Sequence, residues 1–151
     1  LAAYQRVLEI DPENTYAPHG LAETYEKLGD ETMAKESFEK AVTAYDRYLA
    51  AAGADSLMLG LRAVCAAKLG RERESIANIQ EAVGLAPNSG DILFNAAQVY
   101  ALAGRRDEAL TNIRLAIQAG YPRQEFERDL AFVDYRNDPE FRSVLETAAV
   151  P

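Results

Sequence analysis

Apolar residues and turn glycines return along this chain at a fixed interval of 34 residues. Ile79 is followed 34 positions later by Ile113, and Gly70 by Gly104. Between the glycines, apolar residues recur three and four positions apart, which predicts amphipathic helices. An interval of this length is typical of stacked helix–turn–helix units. We therefore expect an all-α protein, a right-handed α-solenoid.

The boundaries of these helices are marked by residues with known terminal preferences. Gly29 closes a helix by adopting the left-handed conformation, and Asp30 then caps the next helix. Pro12 and Pro87 each end a second helix. Asn14 and Ser89 follow them as polar caps of the next first helix.

The positions that face the predicted core hold a recurring set of small and bulky residues. In the first full unit these are Leu21, Ala22, Tyr25, Ala34, Phe38 and Ala41; in the second, Leu59, Ala63, Ile79, Ala82 and Pro87; in the third, Leu93, Ala97, Tyr100, Ala109, Ile113 and Ala116. This set resembles the tetratricopeptide repeat (TPR), a helix–turn–helix unit of 34 residues. The second unit departs from the pattern, because Arg62 and Ala66 stand where Leu and Tyr are usual.

The resemblance divides the chain into a partial repeat, three full repeats and a final segment. We expect the second helix of a partial repeat at 1–12, repeats at 15–55, 56–89 and 90–123, and a C-terminal capping segment at 124–151. The capping segment is predicted to contain a short helix near 123–131 and a capping helix near 138–148. We interpret the chain as a C-terminal TPR fragment of a larger bacterial protein.

The first full repeat is longer than the others. Gly29 and Gly70 are 41 positions apart, which adds seven residues, or about two helical turns. The simplest interpretation is a second helix that continues to about Ala52 and ends at Gly53. The added turns carry Tyr45, Tyr48 and Leu49 on one face. These side chains either pack on Leu57 and Met58 of the next unit or form an apolar ledge for a partner.

Composition narrows the function classes. The net charge of −8 argues against nucleic-acid binding, because neutralising phosphates needs a basic surface. No apolar run approaches the roughly 18 residues of a membrane span. A single cysteine, Cys65, fits a reducing compartment, so we expect a cytoplasmic protein without membrane contact.

Residues for catalysis, cofactors or metals are sparse. The chain has one histidine, His19, which we expect to be exposed or to face a groove. A lone histidine supports neither a metal-ligand cluster nor a Cys/His pair. The glycines fall singly at helix ends, so no phosphate-binding loop is present. We therefore predict no enzymatic activity, no cofactor and no metal.

The resemblance also implies a binding surface. In TPR proteins the first helices of successive repeats line a concave groove that holds a peptide or a partner helix. By register, the groove residues here are Tyr16, His19, Glu23, Lys27, Leu57, Val64, Lys68, Asp91, Phe94, Asn95, Gln98 and Leu102. Phe94 is the predicted anchor. The alternative is that Phe94 and Leu102 pack against the C-terminal segment or against a domain missing from this chain.

The charge of this groove limits its partners. TPR proteins that bind the C-terminal carboxylates of chaperones use Lys, Asn and Arg side chains. The corresponding positions here are His19, Glu23, Leu61, Asp91 and Asn95, and two of them would repel a carboxylate. We therefore expect a basic or apolar protein partner and not a chaperone tail.

Two functions remain open from the sequence. The first is a non-catalytic scaffold for protein–protein interaction that binds a peptide or partner helix in the groove. The alternative is a regulatory or oligomerisation appendage of a larger signalling enzyme, which docks on its own upstream domain or on a second copy, as in a homodimer.

Overall fold

The chain is helical in its described part, residues 1–147 of a computed structural model, with no strand among them. The helices are α1 (Ala2–Ile10), α2 (Ala17–Leu28), α3 (Glu31–Ala52), α4 (Ser56–Lys68), α5 (Glu72–Leu85), α6 (Gly90–Leu102), α7 (Arg106–Gln118), α8 (Arg123–Arg128), a 3₁₀ helix (Leu130–Tyr135) and α9 (Pro139–Thr147). The predicted all-α class is confirmed.

The helix ends follow from the local sequence. Gly29 has a φ of 76° and Gly104 a φ of 71°, a left-handed conformation that side chains rarely adopt. At the start of α3, the Asp30 carboxylate accepts a hydrogen bond from the Met33 amide at 3.1 Å, as predicted. The sequence analysis did not identify the equivalent cap at Asp55, which accepts from the Met58 amide at 3.0 Å.

The helices pack in consecutive antiparallel pairs, α2 with α3, α4 with α5 and α6 with α7, and neighbouring pairs pack on each other. Small residues allow this close approach: Ala22, Ala63 and Ala97 are fully buried, one on each first helix. Three core clusters follow one another along the chain and share no buried residue. This arrangement is that of a helical-repeat solenoid.

The long helix α3 ends at Ala52, with Gly53 after it, where the seven-residue insertion predicts its end. Most residues of its last two turns, from Asp46 to Ala52, are exposed, but one side of these turns packs inward. Tyr45 is fully buried with Met58 and Cys65, and Leu49 is partly buried against the same cluster. The ledge hypothesis is therefore wrong for Tyr45, because its side chain is removed from solvent. For Leu49, which is only partly buried, it stays a prediction. Of the three, Tyr48 alone is classed as exposed, at 37%.

Arg62, which departs from the repeat pattern, connects three helices. Its guanidinium lies 2.5 Å from the Asp46 carboxylate on α3 and 2.6 Å from the Glu74 carboxylate on α5. Asp46 belongs to the added turns of α3. The insertion and the unusual Arg62 are therefore parts of one contact.

The C-terminal segment packs on the last helix pair through three buried aromatic residues, Phe126, Phe132 and Phe141. Its first helix, α8, is shorter than the predicted 123–131. It ends at Arg128 because Asp129 is extended, and the Asp129 side chain caps the 3₁₀ helix by accepting from the Ala131 amide at 2.8 Å. Residue 148, the predicted end of the capping helix, and the rest of the segment to 151 lie outside the described residues.

Within residues 1–147, no helix combines the length and the apolar character needed to cross a bilayer.

Candidate functional site

Two adjoining cavities lie between the first helices of the repeats and the C-terminal segment. Their volumes are about 310 and 320 Å³. Residues from α2, α4, α6 and α8 line both of them, with Asp129 just after α8. The shared lining residues are His19, Glu23, Lys27, Val64, Gln98, Glu125 and Asp129.

Most of the residues predicted for a groove line these cavities. They are His19, Glu23, Lys27, Leu57, Val64, Lys68, Asp91, Phe94, Asn95 and Gln98. Tyr16 and Leu102 do not. Tyr16 is exposed just before α2, and Leu102 lines a separate small depression beside Ala67 and Ala103.

His19 is a buried residue at the wall of both cavities, so of the two expectations the exposed side chain is wrong and the groove-facing position remains. Its Nδ1 lies 2.9 Å from the Tyr45 hydroxyl. Its Nε2 is buried without a hydrogen-bond partner and lies 3.6 Å from Glu23 Oε1. Burial, followed by the positive charge of Lys68, lowers the pKa of His19 to about 4. The ring is therefore neutral at pH 7.

Phe94 packs against the C-terminal segment while it lines the second cavity. Its ring stacks on Tyr121 at a centroid distance of 4.3 Å and meets the edge of Phe126 at 5.0 Å. The alternative interpretation of Phe94 therefore describes its surroundings better than a free anchor does. Leu102 is exposed at the end of α6 and does not belong to the core cluster that contains the C-terminal segment.

The C-terminal segment contributes one wall of the cavities, which was not predicted from the sequence. Glu125 and Asp129 line both cavities, and Arg128 lines the first. Gln98 Nε2 donates a hydrogen bond to Asp129 Oδ2 at 2.9 Å, which joins this wall to α6. No register could have identified these residues, because the 34-residue interval ends before them.

Five carboxylates and three basic side chains line the two cavities. Two of the basic side chains are already paired: Lys68 Nζ lies 2.6 Å from Glu26, and Arg128 lies 3.8 Å from Glu125. The remaining carboxylates are Glu23, Asp91 and Asp129, opposite Lys27. The space is therefore electronegative.

The carboxylates are close enough to influence one another. Burial is the main cause that raises the pKa of Glu23, and the charge of Asp129 raises it further, against the opposing charge of Lys27. Burial also raises the pKa of Tyr121 to about 12, with contributions from Asp91, Glu125, Asp129 and Glu23. Four carboxylates thus act on one hydroxyl group.

The described residues offer little for metal binding or nucleophilic chemistry. Among residues 1–147, no three His, Cys, Asp or Glu side chains form a group that could hold a metal ion. Cys65 is fully buried, and burial raises the pKa of its thiol, which disfavours the reactive thiolate.

The fold is that of a helical-repeat protein with two adjoining cavities between its repeats and its last segment. Residues 19–48 match the family model of the tetratricopeptide repeat. This match and the consecutive helix pairs fit a TPR protein. TPR units generally mediate protein–protein interactions, and the family is generally non-catalytic. No curated protein matches the chain.

Proposed function

We propose that this chain is a non-catalytic interaction module that binds a basic segment of a protein partner in the groove formed by the two cavities. The partner would lie across α2, α4 and α6, with the C-terminal segment as the far wall.

One observation supports this proposal most directly: residues of the repeats and of the C-terminal segment line the same electronegative cavities. Side chains from three successive first helices meet Glu125 and Asp129 of the C-terminal segment there. Because the helices are rigid, these side chains lose little conformational freedom on binding, which reduces the entropic cost. Unpaired carboxylates favour a partner of positive charge.

The test uses two leucines of similar exposure. Leu57 is 41% exposed and lines the second cavity, whereas Leu115 is 43% exposed on α7 and lines neither cavity. A random peptide library is selected against the chain, and the affinity of the selected peptides is measured by fluorescence polarisation. We expect Leu57→Glu to weaken binding about tenfold and Leu115→Glu to leave it nearly unchanged.

The proposal would be contradicted if both variants lost peptide affinity equally, or if Leu57→Glu kept the affinity of the parent. Either result would mean that the peptide binds elsewhere. The mass of each variant in solution is measured by sedimentation in parallel. A parent that dimerises and a Leu57→Glu variant that is monomeric would assign the groove to a second copy of the chain instead.

A further inference from the structure

We infer that the second cavity receives an arginine side chain of the bound peptide, with its guanidinium between the carboxylates of Glu23 and Glu125 and against the Phe94–Tyr121 aromatic pair. This inference rests on the proposed function and specifies the chemistry of the partner.

The carboxylates supply the first part of the argument. Glu23 and Glu125 reach the cavity from opposite walls, one on α2 and one on α8. Neighbouring negative charge and burial raise the pKa of Glu23. A cation placed beside Glu23 would offset the cost of burying that carboxylate and the repulsion that it experiences from Asp129.

The aromatic pair distinguishes a guanidinium from an ammonium group. Phe94 and Tyr121 stack on each other and both line the second cavity, where they remain partly exposed. A planar guanidinium can lie against an aromatic ring while its N–H groups donate to carboxylates at its edge. An ammonium group is a compact point charge and gains less from that surface.

The buried Nε2 of His19 indicates where the peptide backbone would lie. Tyr45 can donate its hydroxyl proton to Nδ1, which places the ring proton on Nε2. The opposite tautomer would leave an unprotonated nitrogen 3.6 Å from Glu23 Oε1, which is unfavourable. Nε2–H is therefore a donor without an acceptor, and a carbonyl oxygen of the peptide can accept from it once the Glu23 carboxylate turns towards the arginine.

Lys27 also lines both cavities and has the sign of charge that would repel a guanidinium. It lies in the last turn of α2 with an exposed side chain. That long side chain can extend into water, whereas the shorter side chain of Glu23 lies beside His19 at the cavity wall. The local charge that an incoming arginine meets is therefore set by the carboxylates.

The experiment uses the only histidine of the chain as its reporter. Capped pentapeptides that differ in one central residue are titrated into the whole chain, and the His19 ring signals are followed by NMR. The central residue is arginine, citrulline, lysine or glutamate. Citrulline has the shape of arginine without its charge.

We expect a saturable shift with the arginine peptide and binding about tenfold weaker with citrulline, because the charge-assisted hydrogen bonds are lost. Glu23→Gln and Glu125→Gln should each weaken arginine binding about fivefold. Glu36→Gln is the matched control, since Glu36 is exposed on α3 outside both cavities. This variant should bind like the parent.

Three results would overturn the inference: equal binding of the citrulline and arginine peptides, tighter binding of the glutamate peptide, or no saturable shift at the solubility limit of the peptide. If library peptides still depend on Leu57 in that case, the proposed groove stands and only its arginine preference fails. If neither test finds binding, the groove itself is not a peptide site.

Discussion

His19 is held in the core by one polar contact, between its Nδ1 and the hydroxyl of Tyr45. Rings of Phe38 and Tyr45 surround it edge-on, and burial among them opposes a charged imidazolium although the Glu23 carboxylate lies 3.6 Å from Nε2. Burial is the first cause of its lowered pKa, and Lys68 adds to it. The folded state therefore resists protonation of this residue.

We expect the imidazole of His19 to titrate near pH 4, measured from its NMR signals. Because the pKa of His19 in the folded state lies below 6.5, the usual value for a histidine side chain, the unfolded chain takes up a proton first as the pH falls. The contribution of His19 to stability is complete above pH 6.5 and is lost as the pH falls towards 4. The loss is on the order of 3 kcal/mol.

The control for this titration is His19→Gln, followed by urea unfolding at several pH values. Its free energy of unfolding should fall less steeply between pH 6.5 and 4 than that of the parent. Glu23, whose pKa is raised, acts in the opposite sense in both proteins. A midpoint near 6.5 in the parent would show that the ring is not buried as described.

The burial of His19 was not predictable from the sequence, although its position on the groove side was. A helical register assigns His19 to a face of α2 but does not say which residue of α3 crosses it. The partner, Tyr45, is 26 residues away and reaches His19 only through the packing of the two helices. Such a pairing depends on tertiary geometry, which local periodicity does not encode.

At the scale of elements, α4 and α6 approach each other closely at Gly60. A Cβ atom added at Gly60 would lie 2.8 Å from Asn95 Nδ2 and 3.3 Å from Ile92 Cδ1. Asn95 lines the second cavity, and Ile92 belongs to the core cluster between the two helices. The absence of a side chain at Gly60 therefore fixes the spacing of the cavity walls.

We expect Gly60→Ala to lower the free energy of unfolding by about 1–3 kcal/mol, because the added methyl group overpacks this contact. Gly84→Ala is the matched control. Gly84 is also helical, and a Cβ atom there meets nothing within 4 Å. Its substitution should stabilise the chain by about 0.5–1 kcal/mol through helix propensity. Thermal and urea unfolding measure the change in free energy for each variant. Equal changes in the two variants would contradict the close approach at Gly60.

The ends of most elements were predictable, whereas the course of the last segment was not. Helices end, or turns follow them, at glycines 29, 53, 70 and 104, because residues other than glycine rarely adopt a positive φ. Residues 124–135 carry no repeat register, and the register of Tyr121 does not specify which ring it contacts, so the sequence did not indicate that Tyr121 would stack on Phe94. For the same reason, the predicted groove did not include Glu125 and Asp129.

At the scale of the whole molecule, burial is uneven along the helices. In α1 no residue is buried, and Leu1, Tyr4, Val7 and Ile10 are exposed. In α4 and α6, by contrast, seven residues each are buried. Because each unit contacts mainly its neighbours, local opening should follow this gradient.

We therefore expect the backbone amides of α1 to exchange with deuterium at least about tenfold faster than those of α4 and α6. Mass spectrometry of peptic fragments measures this. Helix α9 distinguishes the effect of burial on the exchange rate from the effect of a terminal position. It also lies near an end of the chain, but its residues Phe141, Val144 and Leu145 are buried. Exchange in α1 as slow as in α9 would contradict the gradient.

Because the last segment forms one wall of the cavities, the number of repeats acts as a spacer that sets the width of the opening. Glu23 lies on the first complete pair and Glu125 just beyond the last, so both walls belong to one space only at this array length. An added helix pair between α5 and α6 would separate them by about 10 Å more, because the first helices of successive pairs, such as α4 and α6, pack directly on each other. Such a longer array could keep its core and its fold and still lose the enclosed space, so array length is itself a determinant of what the chain can hold.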